Sequence, residues 1–145
     1  MDFKTAMRIS GSGLSADRAW VGVTSANLAN AKTTRTESGE PYRRRTLIYE
    51  AVPVADPFGA ELASAMDGEV QGVKVVEVLP DQRQFQEAYD PSHPDADDNG
   101  IVRFPNINTA EEMANLVSAS RSYQANVAAL DTAKRLALKA MEIGK

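Results

Sequence analysis

No cysteine occurs among the 145 residues. Disulfides, thiolate zinc sites and a cysteine nucleophile are therefore excluded, and thiols say nothing about redox compartment. There is one histidine. Catalysis by imidazole would rest on His93 alone, set between Ser92 and Pro94 with no acidic partner on a common face, so turn structure is its simplest role. No apolar run reaches the 18 or so residues a membrane span needs. The first residues, Met1 to Lys4, lead into a segment broken by Gly11, Ser12 and Gly13, and no cleaved secretory signal is expected. Gly11 and Gly13 lack the third glycine and the preceding strand of a phosphate-binding loop. A large excess of positive charge is also missing: 16 basic and 20 acidic residues give a net charge of −4, interspersed along the chain. That distribution argues against nucleic acid and anionic membrane as partners.

What is present is helical at both ends. From Asp2 to about Asn30, Met7, Leu14, Val21 and Leu28 recur at seven-residue spacing, flanked by Ala6, Ile9, Ala16, Trp20 and Val23. Gly11, Gly13 and Gly22 lie inside this pattern and each costs a helix about 1 kcal/mol relative to alanine, so the helix is conditional on a partner. The clearest element runs from Asn108 to about Ile143. Thr109 with Glu112, or Asn108 with Glu111, supplies a capping box. Steps of three and four from Met113 pass through Leu116, Ser120, Tyr123, Val127, Leu130, Lys134, Ala137 and Met141, broken only by Ser120 and Lys134. Gly144 stands where a C-cap glycine belongs. A helix of this length extends about 50 Å, longer than a small domain is wide, and its stripe must be covered by the first helix, by other chains, or by both.

Between them, Lys32 to Pro41 breaks periodicity with turn residues. Strands are expected over Arg43 to Val54 and Val70 to Leu79, with shorter ones over Gln84 to Tyr89 and Ile101 to Phe104. Residues 55–69 read as an insertable loop with a brief helical possibility at Glu61 to Met66. The fold class expected is α+β: long N- and C-terminal helices (1–31 and 108–145) packed as a hairpin or coiled coil, with a small β-rich insert (32–107).

Two local motifs invite chemistry. Asp95, Asp97, Asn99 and Gly100 fit the first half of an EF-hand loop, but Asn106 stands where a bidentate glutamate is required, and prolines flank the loop. A solvated turn is the plainer reading, and calcium binding by a small module is its rival. Arg43, Arg44 and Arg45 form the one dense basic spot, which at the start of a β segment marks a solvated edge or a salt-bridging contact rather than a nucleic-acid site, a subunit contact being the favoured reading. No metal, cofactor, small-molecule substrate or catalytic residue is expected.

The segment Ser25 to Ala31 (SANLANA) resembles the signature of bacterial flagellar axial proteins of the rod and hook. Further blocks in the order of the basal-body rod proteins sharpen the likeness: Asn30 to Thr36, Pro41 to Arg44, Tyr89 to Asp97 (YDPSHPDAD), Phe104 to Asn108 (FPNIN), Ser118 to Val127 (SASRSYQANV) and Thr132 to Lys134. The resemblance implies a structural subunit of the proximal rod that transmits torque from motor ring to hook, without catalysis. It implies a periplasmic location within the basal body, reached through the flagellar type III export apparatus. Its partners would be copies of itself, other rod proteins and the adapter joining rod to membrane ring. The subunit-interface residues it suggests are the terminal stripes (Met7, Leu14, Val21, Leu28, Met113, Leu116, Ser120, Tyr123, Val127, Leu130, Lys134, Met141) and the Asn27 to Asn30 turn; Arg43 and Arg44 join them from the basic spot read above as a subunit contact. Asn27 and Asn30 would end the first helix by bonding to nearby backbone.

Overall fold

The computed structural model describes residues 3–54 and 70–143. Helix α1 spans Phe3–Ala29 and helix α2 spans Thr109–Ile143. Strands β1 (Arg45–Pro53), β2 (Gln71–Pro80), β3 (Gln86–Tyr89) and β4 (Ile101–Phe104) lie between them. They form two separate antiparallel pairs, β1 with β2 and β3 with β4. The α+β class and both long helices agree with the sequence, and strands β1 and β3 each start two residues later than the pattern suggested. The helical possibility at 61–66 and the Gly144 cap lie outside the described residues.

The start of α2 is decided between its two capping registers. Asn108 is the cap, its Oδ1 accepting the backbone N–H groups of Ala110 (3.0 Å) and Glu111 (3.3 Å). Glu112 is thereby left free of capping and points inward, where it is 1% exposed.

The helices pair antiparallel in one heptad frame. A Cβ on Gly13 would lie 2.8 Å from Asn126 Nδ2, and Asn27 bonds Glu112 at 3.0 Å. Both pairs fall in the same register, two heptads apart, and that register sets Trp20 opposite Ala119, which is fully buried. The seam of α2 therefore runs through Glu112, Ala119, Asn126 and Ala133. It lies one residue, or about 100° of helix rotation, away from the stripe that starts at Met113. Small residues and polar partners hold the helices close, while α1 covers only the near edge of the apolar stripe.

The β1–β2 pair lies on one side of this hairpin. Ser12, one residue before the seam, accepts the Val73 N–H on its Oγ (3.2 Å). Gly72 allows the approach, since a Cβ there would meet Ser12 Oγ at 2.8 Å and Val54 Cγ2 at 2.9 Å. Arg8 donates to the Val54 carbonyl at 2.8 Å. The pairing shifts between Ile48 and Tyr49, which face Glu77 and Val75, so Val76 is the extra bulged residue.

The helical glycines separate by environment. A Cβ at Gly22 or Gly11 meets nothing within 4 Å, whereas at Gly13 it meets Asn126. Gly22→Ala is expected to raise stability by about 0.5–1 kcal/mol in urea unfolding. Gly13→Ala is expected to give no such gain, because the same propensity term is offset by displacing the Asn126 amide. Equal stabilisation by both substitutions would contradict the close approach.

Candidate functional site

Two features of the hairpin bear on what the chain does: a polar clasp at one end and an uncovered face along its length. The clasp starts at Asn27, which is 1% exposed. Its Nδ2 donates to the Arg45 carbonyl (2.9 Å) and to Glu112 Oε2 (3.0 Å). Its Oδ1 accepts the Arg45 N–H (2.8 Å) and the Tyr42 hydroxyl (3.2 Å). These four bonds use the whole capacity of a side-chain amide. Asn27 therefore does not cap α1 through nearby backbone, as its position suggested. It ties α1 to the first residue of β1 and to α2. Asn30 does the local work: its Nδ2 donates to the Ala26 carbonyl (2.9 Å) and its Oδ1 accepts from Thr33 (3.2 Å).

Glu112 receives the second half of the clasp. Arg44 Nε donates to Glu112 Oε1 at 2.8 Å, and Nη2 lies 2.7 Å from the same oxygen. Asp81 and Glu111 each stand 3.7 Å from the same guanidinium. Hydrogen bonding from Arg83, opposed by burial, holds the Asp81 carboxyl below its ordinary range. Asn106, buried beside Ile107, accepts the Arg44 N–H at 3.1 Å. Arg44 is thus turned inward as the hub of an intramolecular ion pair. Arg43 instead stacks over the Phe85 ring, 4.2 Å from its centroid. Burial of Tyr42 beside this network pushes its phenol pKa up, against the opposing pull of Arg45.

On the side of the hairpin away from β1–β2, a groove of about 380 Å³ is lined by Arg18, Val21, Leu116, Ser120 and Tyr123. Its position follows from helix geometry. Met7, Leu14, Val21 and Leu28 each sit one residue after a seam position of α1, and Met113, Ser120, Val127 and Lys134 each sit one residue after a seam position of α2. In an antiparallel pair a one-residue step along each helix turns toward the same side, so the two stripes border one groove. The α1 stripe is half-buried there, as are Leu116, Tyr123 and Leu130, whereas Ser120 and Lys134 are exposed. Met113, Val127 and Met141 are 58%, 43% and 63% exposed. Large apolar side chains in such a row need a cover that the described residues do not supply.

The acidic loop that fits half an EF-hand, and the single histidine beside it, are engaged in structure. Asp97 Oδ1 accepts the N–H groups of Asn99 and Ile101, both at 2.9 Å, around Gly100 at φ 76°. Asp95 accepts from Thr34 at 2.7 Å. His93 accepts the Asp95 N–H on Nδ1 and sets its ring edge-on to Phe104. Among the described residues no group of three or more His, Asp or Glu converges as a metal site would require.

Comparison with known proteins bears on these features directly. Residues 7–35 match the family model described as flagella basal body rod protein, and residues 98–143 match flagellar basal body rod FlgEFG protein C-terminal. Flagellar basal-body rod protein FlgC of Bacillus subtilis is 41% identical, with 96% of each chain covered. The chain belongs to the FlgC family of flagellar basal-body rod proteins. FlgC of Salmonella typhimurium is 37% identical over 94% of each chain, and FlgC of Borreliella burgdorferi is 36% identical over 99% of this chain and 98% of the relative. The two segments matched by the rod-protein models contain both partners of each cross-helix bond: Asn27 with Glu112, and Asp17 with Asn126.

Reading the sequence for FlgC-like stripes passed over Asp17, Glu112 as a core residue, and Asn126. Asp17 is 7% exposed and accepts from Asn126 Nδ2 at 2.8 Å. The usable signal was a carboxylate inside an apolar helical repeat, which demands a buried partner.

Proposed function

We propose that this chain is a subunit of the proximal rod, packed through the uncovered face of its helical hairpin against copies of itself and other rod proteins. The observation that carries the reading is the gathering of the two terminal stripes on one open groove, with Val21, Leu116, Ser120 and Tyr123 lining it. Ser120 and Lys134 interrupt that face with groups suited to polar contacts between subunits. The clasp fixes the angle between hairpin and β insert, so that torque from the motor ring passes through a stiff joint toward the hook. Contacts between unlike patches that do not close a ring generate a helical tube, which a rod requires. Such a subunit works by packing and has no catalytic step and no cofactor. Its place is the periplasmic part of the basal body, reached through the flagellar export apparatus, with the adapter at the membrane ring as the neighbour at its base. No helix among the described residues is long and apolar enough to cross a membrane.

The test is replacement. Expressed in a bacterium lacking its own FlgC, the chain is expected to restore swimming and to be recovered in detergent-extracted basal bodies. A chain that is secreted or retained yet never enters basal bodies would defeat the proposal.

A further inference from the structure

We propose that Asp17 and Asn126, with Gly13 as their clearance, are positioning residues that lock the two helices into a single heptad frame. The frame in turn aligns the two stripes of the open face. Asn126 Nδ2 donates to Asp17 Oδ2 at 2.8 Å, across 109 residues of sequence, with Asp17 7% exposed. Gly13 leaves room for this amide, since a Cβ there would come within 2.8 Å of it. One heptad further on, the same frame brings Trp20 level with Ala119, which is fully buried.

Neighbouring heptad frames are poor by comparison. Sliding α2 by seven residues one way brings Asn126 opposite Trp20, and sliding it the other way brings Glu112 there. In both, Asp17 keeps its burial and loses its partner, the costly arrangement for a carboxylate. An all-apolar seam of leucines and alanines would tolerate such a slip, whereas a single buried polar pair discriminates between registers. The clasp at Asn27 and Glu112 fixes the end near the sheet. Among the described residues, Asp17–Asn126 is the furthest cross-helix hydrogen bond from that clasp. A slip of one heptad would carry Val127 about 10 Å along the groove, out of line with its neighbours on α1.

This inference rests on the rod-subunit reading only for why register matters. Register itself can be read on the full-length purified chain, which has no native cysteine to interfere. The pair Ala6→Cys with Ala133→Cys reports the native frame, and Ala6→Cys with Ala140→Cys reports a frame slipped by seven. On mild oxidation the native pair is expected to crosslink at least tenfold more than the slipped pair. In an Asp17→Leu/Asn126→Leu background the slipped crosslink should rise at least threefold while far-ultraviolet circular dichroism keeps its helix signal. The exchange Asp17→Asn/Asn126→Asp can make the same hydrogen bond with donor and acceptor reversed, and should return the native preference. Equal crosslinking of both pairs in the unaltered frame overturns the proposal, as does an unchanged preference in the leucine variant. If the leucine variant loses its helices, the exchange variant decides: native fold and preference support the lock, and their loss overturns it. All these outcomes leave basal-body incorporation to be judged by its own experiment.

Discussion

Val127→Glu is expected to abolish swimming while leaving the isolated chain folded. Val127 is 43% exposed on the open face and touches neither the clasp nor the seam hydrogen bonds. A substitution at such a site changes monomer stability by about 0.5 kcal/mol or less, and glutamate is a better helix former than valine. If a neighbouring subunit covers the groove, the same carboxylate must be desolvated without a partner, which costs several kcal/mol per contact and recurs at every copy in the rod. Leu130→Glu provides the contrast. Leu130 is half-buried on the edge of the seam, where part of its side chain is already out of water in the lone hairpin. Its replacement should lower hairpin stability by about 1–3 kcal/mol before any assembly step. Urea unfolding separates the two variants and a swimming assay unites them. Normal motility with Val127→Glu would remove the open face from the assembly interface.

The difference between those two residues was not legible in the sequence. Periodicity located α2 and its apolar stripe to within a residue at each end, because a 3.5-residue repeat survives any choice of partner. It did not show which edge of the stripe α1 would take. That is decided by Glu112, Asn126 and Gly13, residues that an apolar count treats as interruptions or ignores. The same holds at the end of α1. Asn27 and Asn30 look alike in sequence, each a helix-end asparagine, yet only Asn30 bonds its own turn. Asn27 bonds Arg45 and Glu112, 18 and 85 residues away. A tertiary partner outcompetes a local one when burial makes every unmade hydrogen bond expensive. Arg44 was hidden for a related reason: in a run of three arginines, nothing local tells which one turns inward.

Glu112 is therefore the residue whose loss should damage the fold most. Glu112→Ala leaves the Arg44 guanidinium, 15% exposed, without its closest counter-charge and removes one acceptor from Asn27. Breaking a buried pair from one side typically costs 3–5 kcal/mol. Here the value should fall near the lower end, about 3 kcal/mol, because Asp81 and Glu111 remain 3.7 Å from Arg44 and Asn27 keeps the Arg45 carbonyl. Against a domain stability of roughly 5–15 kcal/mol, that loss leaves little margin for folding at working temperature. Removing both charges tells whether the cost is lost attraction or an abandoned charge. In Arg44→Met/Glu112→Leu no ion remains to be buried alone, and the double variant should be more stable than Glu112→Ala even though it has fewer polar contacts. The order of urea midpoints is the measurement. A double variant that falls below Glu112→Ala would mean that the attraction itself, together with the alignment it gives Asn106 and Asn27, outweighs the desolvation of both ions. The clasp would then be a net source of stability as well as of geometry.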